Sequence, residues 1–323
     1  MNHRFAFRTV STLLLAALLT SAGWQAAYAQ APPQPPAAQL DYQPRILLVT
    51  AHPDDDAIYA ATVFKTTHLL GGVVDLALMT NGEGGYRYST LGNYIYGKEL
   101  DKEEVGRAWL PNIRKQELMA GGEIVGMRKY FFFEQLDRQY SLDPAVPMEE
   151  WDADYIVSTL RETIRQEGYD FVFTMMPYPG THAHHKASAI LALRAVEGMA
   201  PEERPLVLAT SMASADEEPS SFEMLEDYPL TRLDRSVTPF VFDRTQTFGH
   251  ENELNYKMIA NWVIAEHKSQ GTMQQLMNRG DLERYWYYGL NPPEGEQKVR
   301  RFFEAVNAAD IYARDDSTAA SGG

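Results

Sequence analysis

The segment Arg45-Ile-Leu-Leu-Val-Thr50-Ala-His52-Pro-Asp54-Asp55-Asp56 joins a run of apolar residues to one histidine and three consecutive aspartates. A continuous apolar run of this kind is typical of a parallel β-strand that is covered on both faces. Open α/β sheets place their binding sites beyond the carboxyl ends of such strands. The segment therefore predicts an α/β fold whose functional site includes His52 and the aspartates.

The aspartates also fit a simpler role, because a helix N-terminus favours carboxylates through its dipole and its free N–H groups. Asp54 to Asp56 would then only cap the helix that follows. One aspartate is enough for a cap, and the His-Pro pair adds nothing to it. We therefore favour a metal site, with capping as the alternative.

A second polar cluster, Pro177 to His185, follows another apolar run at Tyr169 to Met176 and contains three of the eight histidines of the chain. It repeats the order of the first cluster, with a strand, a polar loop and a helical pattern. A solvated loop is the alternative for this cluster alone. Taken together, two histidines and one carboxylate around an open coordination position suit catalytic Zn²⁺, and the same set can hold Fe²⁺.

Helix and strand patterns alternate along the chain. We predict strands from Arg45 and at 73–79, 129–133 and 171–176, and helices at 57–70, 111–125, 151–166 and 184–196. This alternation predicts a doubly wound, mostly parallel, Rossmann-like sheet flanked by helices, with a C-terminal helical and β extension.

Residues 84–110 interrupt this pattern just after a turn on the predicted site side of the sheet. A long loop at the rim of a site often acts as a lid, and the aromatic faces of Tyr94, Tyr96 and Trp109 could receive sugar rings. These side chains could equally pack the loop onto the domain. Packing is the interpretation that we favour for Tyr285 to Tyr288.

The chain resembles the PIG-L/LmbE-like zinc-dependent deacetylases, which hydrolyse the N-acetyl group of glucosamine-containing substrates. The resemblance extends from about residue 44 to residue 270 and rests on five motifs: Ala51 to Asp56, Thr80 to Glu83, Arg114 with Glu117, His182 with His185, and His267 to Gln270.

This resemblance implies that His52, Asp55 and His185 hold the metal. Asp54 would then be the general base that takes a proton from a metal-bound water as the water attacks the amide. His182 would stabilise the oxyanion or protonate the leaving amine. A free carboxylate beside a metal and an imidazole with a pKa near neutrality suit these two tasks.

The resemblance also implies that Arg114 and Asn81 bind the substrate, although Arg114 could instead pair with Glu117 inside its own helix. Two positions depart from the family pattern. Asp56 replaces a longer Glu, and His184 replaces an Asp just before the ligand histidine. We expect Asp56 and His184 to contact and orient the metal ligands without binding the metal, although His184 could itself be a ligand.

Composition excludes several classes of function. The chain has no cysteine, so it contains no disulfide, thiolate metal ligand or cysteine nucleophile. Its formal net charge of −15 opposes binding to nucleic acid or to an anionic membrane surface. We therefore expect a neutral or cationic small molecule or glycan as the partner, and the sequence indicates no oligomeric state.

The first 29 residues predict a secretory signal peptide, because Arg4 and Arg8 precede a short apolar core and small residues precede Gln30. Residues 30–44 form a predicted Pro, Ala and Gln-rich leader, 45–310 one α/β domain, and 311–323 a flexible tail. No later run is long and apolar enough to cross a bilayer. We therefore expect a periplasmic or secreted protein.

The sequence as a whole predicts an exported, metal-dependent hydrolase that removes an N-acetyl group from an amino sugar or a related N-acyl substrate. A hydrolase of another small amide or ester is a close alternative. The alternative from a different class is a non-catalytic, metal-containing protein that binds glycans.

Overall fold

A computed structural model of the protein describes residues 40–138 and 140–311. Within these residues, seven strands form one sheet in the order β3-β2-β1-β4-β5-β9-β6, and a two-stranded pair lies outside it. The strands are β1 (Arg45–Thr50), β2 (Val73–Thr80), β3 (Tyr130–Gln135), β4 (Phe171–Met175), β5 (Leu206–Ala213), β6 (Phe240–Asp243), β7 (Thr247–Phe248), β8 (Leu254–Asn255) and β9 (Leu282–Tyr287).

The α-helices are α1 (Ala60–Phe64), α2 (Thr90–Tyr96), α3 (Glu103–Val125), α4 (Ala145–Glu150), α5 (Ala153–Glu167), α6 (Ala183–Glu197), α7 (Lys257–Glu266), α8 (Gly271–Gln274) and α9 (Gly295–Ala308). A π-turn covers Lys65–Leu69, and short 3₁₀ segments cover Pro53–Ile58, Glu83–Tyr88, Pro201–Glu203, Pro229–Thr231 and His250–Asn252.

Both faces of the sheet are covered, which explains why β1 is apolar at every buried position. Ile46 and Leu48 belong to a core that includes side chains of α1, α3, α7 and α9. Leu47 and Val49 belong to a second core that includes side chains of α5 and α6. Successive side chains of a strand point to opposite faces, so one apolar run supplies both cores.

The strand order changes direction at β1. This strand pairs in parallel with β2 on one side and with β4 on the other. The carboxyl ends of β1 and β4 therefore lie next to each other. Such a switch point leaves a crevice at the carboxyl ends of the strands. The two histidine-containing segments follow these two strands.

The predicted doubly wound α/β fold is confirmed, and the C-terminal extension consists of β6, β9 and helices α7 to α9, with β9 antiparallel to β5. The predicted helix 57–70 instead consists of a 3₁₀ turn, α1 and a π-turn. The hydroxyls of Thr66 and Thr67 donate to the carbonyls of Thr62 and Val63 at 2.7 and 3.1 Å, and such bonds distort a helix.

The prediction that residues 84–110 form an irregular loop was wrong. The segment contains a 3₁₀ turn, α2 and the first two turns of α3. Helix α3 begins at Glu103 because two glutamates in its first turn favour a helix N-terminus, and Pro111 lies within the helix. The four aromatic residues Tyr285 to Tyr288 are buried, as we predicted.

Lys65 is a buried cation of the first helical segment, with 1% of its surface exposed. Its Nζ donates to Gln246 Oε1 at 3.0 Å and lies over the rings of Phe242 and Tyr256. Burial lowers the pKa of Lys65 to about 8, against an opposing effect of Asp310. The unfolded chain therefore binds more protons than the folded protein between about pH 8 and 10.5, and stability should rise with pH in that window.

We expect Lys65→Met to raise the melting temperature at pH 7, because the buried charge is removed. The increase in stability of the wild type between pH 8 and 10 should also become smaller in this variant. Melting curves followed by circular dichroism at a series of pH values measure both effects. Lys102→Met, at an exposed position, is the matched control, and equal pH profiles for the wild type and Lys65→Met would contradict the prediction.

Candidate metal centre and active site

The two histidine-containing segments meet at the carboxyl ends of β1 and β4. His52 Nδ1 lies 3.1 Å from His185 Nε2, and Asp55 Oδ1 lies 3.2 Å from the same nitrogen. Donor atoms of these three side chains all fall within 4.8 Å of one another. The structure thus brings together the three residues that the family resemblance implied as ligands, and the second cluster is no solvated loop.

Backbone and side-chain contacts aim the donor atoms. Asp55 Oδ2 accepts the backbone N–H groups of Ala51 and His52 at 2.9 and 2.8 Å, which turns Oδ1 towards the histidines. Thr181 Oγ1 lies 2.9 Å from His185 Nδ1, which orients the ring so that its Nε2 faces Asp55. One oxygen of Asp55 therefore stabilises the first turn, as the capping alternative predicted. The other oxygen faces the histidines, as the metal-site interpretation predicted.

This set of donors fits a divalent cation. It consists of two imidazoles and one carboxylate, a combination found in catalytic zinc sites. Burial disfavours the charged carboxylate, but contacts with His185 and His52 outweigh burial and hold the pKa of Asp55 well below its usual value. Asp55 is consequently an anion at neutral pH, as a metal ligand must be.

Asp54 lies outside this ligand set and is held by Arg114. Arg114 Nη2 donates to Asp54 Oδ1 at 2.7 Å, and Arg114 Nη1 donates to the carbonyl of Gly82 at 2.5 Å. Gly82 has a φ of +73°, and a Cβ at this position would overlap the guanidinium. Arg114 therefore pairs with Asp54 across the site, which replaces the alternative of an intrahelical pair with Glu117.

The last motif of the family resemblance, His267 to Gln270, contacts the first motif, Ala51 to Asp56, through buried side chains. His267 Nε2 lies 2.8 Å from Asp56 Oδ1, and both side chains are fully buried. Glu117 accepts the backbone N–H and the hydroxyl of Ser269 at 2.8 and 2.6 Å. The shorter carboxylate of Asp56 thus reaches a buried partner on the C-terminal segment, which ties that segment to the acidic turn.

His182 stands at the start of α6, where its Nδ1 accepts the backbone N–H of His184 at 3.2 Å. Burial and the neighbouring rings of His52, His184 and His185 lower the pKa of His182 to about 3. A neutral ring whose Nδ1 accepts carries its proton on Nε2. This geometry favours hydrogen-bond donation to an oxyanion over the role of a charged acid.

His184 is 2% exposed and packs near Trp151, with a distance of 5.1 Å between ring centroids. Its Nδ1 lies 3.0 Å from His52 Nε2. Burial and the nearby rings lower the pKa of His184 to about 2. A neutral His184 can accept a hydrogen bond from His52 Nε2–H, and the same bond leaves His52 Nδ1 free for a metal.

A pocket of about 190 Å³ opens beside these groups. The predicted residues His52, Asp54, Arg114 and His182 contribute to its lining, as do Asp137, Tyr140 and Gln270. Neither Asp137 nor Tyr140 was predicted from the sequence. Asp137 follows the carboxyl end of β3, just as Asp54 follows that of β1, and this shared position was the available signal.

Other predicted substrate contacts have different outcomes. Asn81 is not part of the pocket lining, since its Nδ2 donates to Glu134 Oε2 at 2.5 Å, and its role in substrate binding stays a prediction. Among the predicted lid aromatics, Tyr96 donates to Glu117 Oε1 at 2.6 Å and so packs the segment onto α3. Tyr94 is 87% exposed, and Trp109 lies beneath Lys98 Nζ.

Across residues 40–138 and 140–311, no helix combines the length and the apolar character that crossing a bilayer requires. The predicted signal peptide, most of the leader and nearly all of the predicted tail lie outside the described residues. The predicted single domain over 45–310 stays a prediction.

Comparison with known proteins identifies relatives of this chain. Residues 47–196 match the model of the family described as PIG-L: GlcNAc-PI de-N-acetylase. A curated relative from Bacillus cereus, the probable N-acetyl-alpha-D-glucosaminyl L-malate deacetylase 2, is 25% identical over 248 residues, which are 75% of this chain and 97% of the relative.

Solved structures of similar fold include a triple mutant of a deacetylase of the teicoplanin biosynthetic pathway. It is 16% identical with a TM-score of 0.51, and the match covers 76% of this chain and 97% of that one. A second structure is the deacetylase-bog complex from the biosynthesis pathway of teicoplanin. It is 15% identical with a TM-score of 0.51, and the match covers 76% of this chain and 98% of that one. At these identities the two structures support the fold alone.

Proposed function

We propose that this chain is a metal-dependent deacetylase of an N-acetylated amino sugar or a related N-acyl substrate, because its residues 47–196 match the PIG-L family model and its motifs resemble those of the PIG-L/LmbE-like deacetylases. The observation that carries the proposal is the convergence of His52, Asp55 and His185 beside a pocket that Asp54 also lines. The net charge of −15 favours a neutral or cationic substrate over an anionic one.

His52, Asp55 and His185 would hold the cation, which we propose to be Zn²⁺, with Fe²⁺ as the alternative. When bound, the cation would polarise the acetyl carbonyl and lower the pKa of a water towards about 7. Asp55 Oδ2 and His185 Nδ1 are already engaged with Ala51, His52 and Thr181, so the ligands need little rearrangement.

Asp54 is the proposed general base. Its Oδ1 is held by Arg114, whereas its Oδ2 has no hydrogen-bond partner among the residues that the structure describes. Oδ2 is therefore available to take the proton from the attacking water. A base that is held in place by one oxygen keeps the other in reach of the reacting atoms, which is the geometric condition for proton transfer.

His182 and Arg114 complete the proposed site. His182 Nε2–H can donate to the oxygen of the acetyl carbonyl as negative charge develops there, because Nδ1 is occupied by the backbone N–H of His184. Arg114 lines the same pocket and could contact a substrate hydroxyl from the other side of Asp54. Asp54 then passes the proton that it took from the water to the departing nitrogen as the C–N bond breaks, and acetate and a free amine are released.

We further propose that the protein is exported, with cleavage of the signal peptide near Ala29. This proposal rests on the sequence pattern of the first 29 residues. An exported deacetylase would act on envelope or environmental glycans.

The proposal is tested by measuring metal and product in the same samples. We expect the purified protein, after dialysis, to contain about one Zn²⁺ per chain and to release acetate from N-acetylglucosamine oligomers. His52→Ala and His185→Ala should lose both the metal and the acetate release. His250→Ala is the matched control, because His250 is 88% exposed and lies outside the site.

Metal without acetate release from any of the N-acyl substrates tested would favour the glycan-binding alternative. A folded protein without metal would contradict the proposed function altogether.

A further inference from the structure

Donor atoms surround both nitrogens of His52. His52 Nδ1 faces His185 and Asp55, which form the metal centre proposed above. His52 Nε2 faces His184 Nδ1 at 3.0 Å. His52, His182 and His184 also form a second group whose donor atoms all lie within 4.8 Å of one another. The two groups share only His52, which offers one nitrogen to each side.

Asp137 adds a carboxylate to the second group. Its Oδ1 lies 3.6 Å from His184 Nδ1, which is too long for a hydrogen bond but close to the spacing of two ligands on one cation. Its Oδ2 accepts the backbone N–H of Gly84 at 3.1 Å, which holds the side chain in place. The side chain of Asp137 is 7% exposed, and no Lys or Arg among the described residues pairs with its carboxylate.

This arrangement depends on His184. His184 stands where the family pattern has an aspartate, so the chain carries an additional imidazole beside the proposed centre. Three imidazoles and one carboxylate form a donor set that suits Zn²⁺ and other borderline divalent metals. An uncompensated, nearly buried carboxylate such as that of Asp137 is also expected to have a cationic partner.

We propose that His182, His184 and Asp137, with Nε2 of His52, form a second divalent-cation site next to the first. With one cation bound, the contact between His52 and His184 is a hydrogen bond. Binding of the second cation releases the Nε2 proton of His52 to solvent, so that His52 bridges the two cations as an imidazolate and His184 Nδ1 becomes a neighbouring ligand after a small separation. Because His52 is shared, the second cation binds more weakly than the first.

The second cation has a consequence for the reaction. It engages His182 and Asp137, which both line the pocket. His182 then no longer donates to the acetyl oxygen, so excess Zn²⁺ inhibits the deacetylase. This consequence rests on the proposed function, whereas the binding of the cation does not.

The test is a calorimetric titration of the chelator-treated, full-length protein with Zn²⁺ alone. We expect two binding steps for the wild type. His184→Asn should lose the weaker step and keep the tighter one, because an asparagine oxygen can still accept from His52 Nε2–H. His185→Asn should lose the tighter step and keep one. This opposite pattern distinguishes two adjacent sites from one site.

Two further variants complete the design. Asp137→Asn should weaken the second step by about tenfold or more, and it replaces His184→Asn if that variant does not fold. His250→Asn should keep both steps, since His250 is exposed and remote.

A single step in the wild type would overturn the second site. Two unchanged steps in either His184→Asn or Asp137→Asn would overturn it as well, as would loss of the second step in His250→Asn. If the two steps follow the expected pattern and the protein with one cation bound releases no acetate, the second site stands and the proposed function fails.

Discussion

Replacing Asp54 by asparagine is expected to lower the rate of acetate release by ~10²- to 10⁴-fold and to leave the metal content unchanged. The reason is that Asp54 lines the pocket without belonging to the ligand set, and its Oδ2 is free to take a proton. Asparagine has nearly the same shape but cannot accept that proton. The loss should appear mainly in kcat rather than in KM, because substrate binding does not need the proton transfer.

Acetate release and elemental analysis on the same samples measure both parts of this expectation. Asp227→Asn is the matched control, since it makes the same change in charge at an exposed position. Full activity of Asp54→Asn would exclude Asp54 as the base. Loss of the metal in this variant would instead indicate that Asp54 is a ligand, and the division of roles between Asp54 and Asp55 would have to be reversed.

The fold and the centre of the site could be predicted from sequence because they depend on local patterns. An apolar run that ends in His52 and Asp55 predicts both a buried strand and the polar groups at its end. A second run that ends before His185 predicts the neighbouring strand. Since the carboxyl ends of parallel strands share one edge of the sheet, the two groups had to meet there.

The rest of the site depends on contacts between distant segments, which no local pattern reports. Asp137 enters the pocket because β3 lies at the edge of the sheet and the following loop turns back towards Gly84. Asn81 stands in a family motif but is turned towards Glu134. The partner of Arg114 was also unpredictable, because Asp54 is 60 residues away and Glu117 only three.

The acidic turn is also held from the C-terminal extension, through the buried pair Arg244 and Glu283. Arg244 Nε donates to Glu283 Oε1 at 2.7 Å, and the two side chains are 1% and 0% exposed. Arg244 Nη2 donates to the carbonyls of Ala57 and Ile58 at 2.7 and 2.9 Å, at the end of the 3₁₀ turn that carries Asp54 and Asp55.

Glu283 in turn accepts the backbone N–H groups of Ala61 and Thr62 at the start of α1, at 3.0 and 3.1 Å. Glu283 of β9 and its partner Arg244, which follows β6, therefore hold both ends of the short connection between the acidic turn and the first helix. A buried charge that loses its partner is costly, whereas the loss of an exposed ion pair changes stability little.

We expect Arg244→Met to lower the free energy of unfolding by about 3–5 kcal/mol, because Glu283 is left as a buried charge without its cation. The double variant Arg244→Met, Glu283→Gln should be less destabilised than the sum of its two single variants, since the uncompensated charge is gone. Arg165→Met breaks the exposed pair with Glu162 and should cost less than about 1 kcal/mol. Denaturant unfolding followed by tryptophan fluorescence measures all four variants.

Equal costs for Arg244→Met and Arg165→Met would contradict the buried-pair account. The same samples also connect stability with the site. If Arg244 holds the acidic turn through Ala57 and Ile58, Arg244→Met should bind Zn²⁺ more weakly even under conditions where it is fully folded. An unchanged zinc affinity in the folded variant would mean that Asp55 is positioned by the backbone of β1 and by His185 alone, and that the C-terminal extension contributes stability without shaping the metal centre.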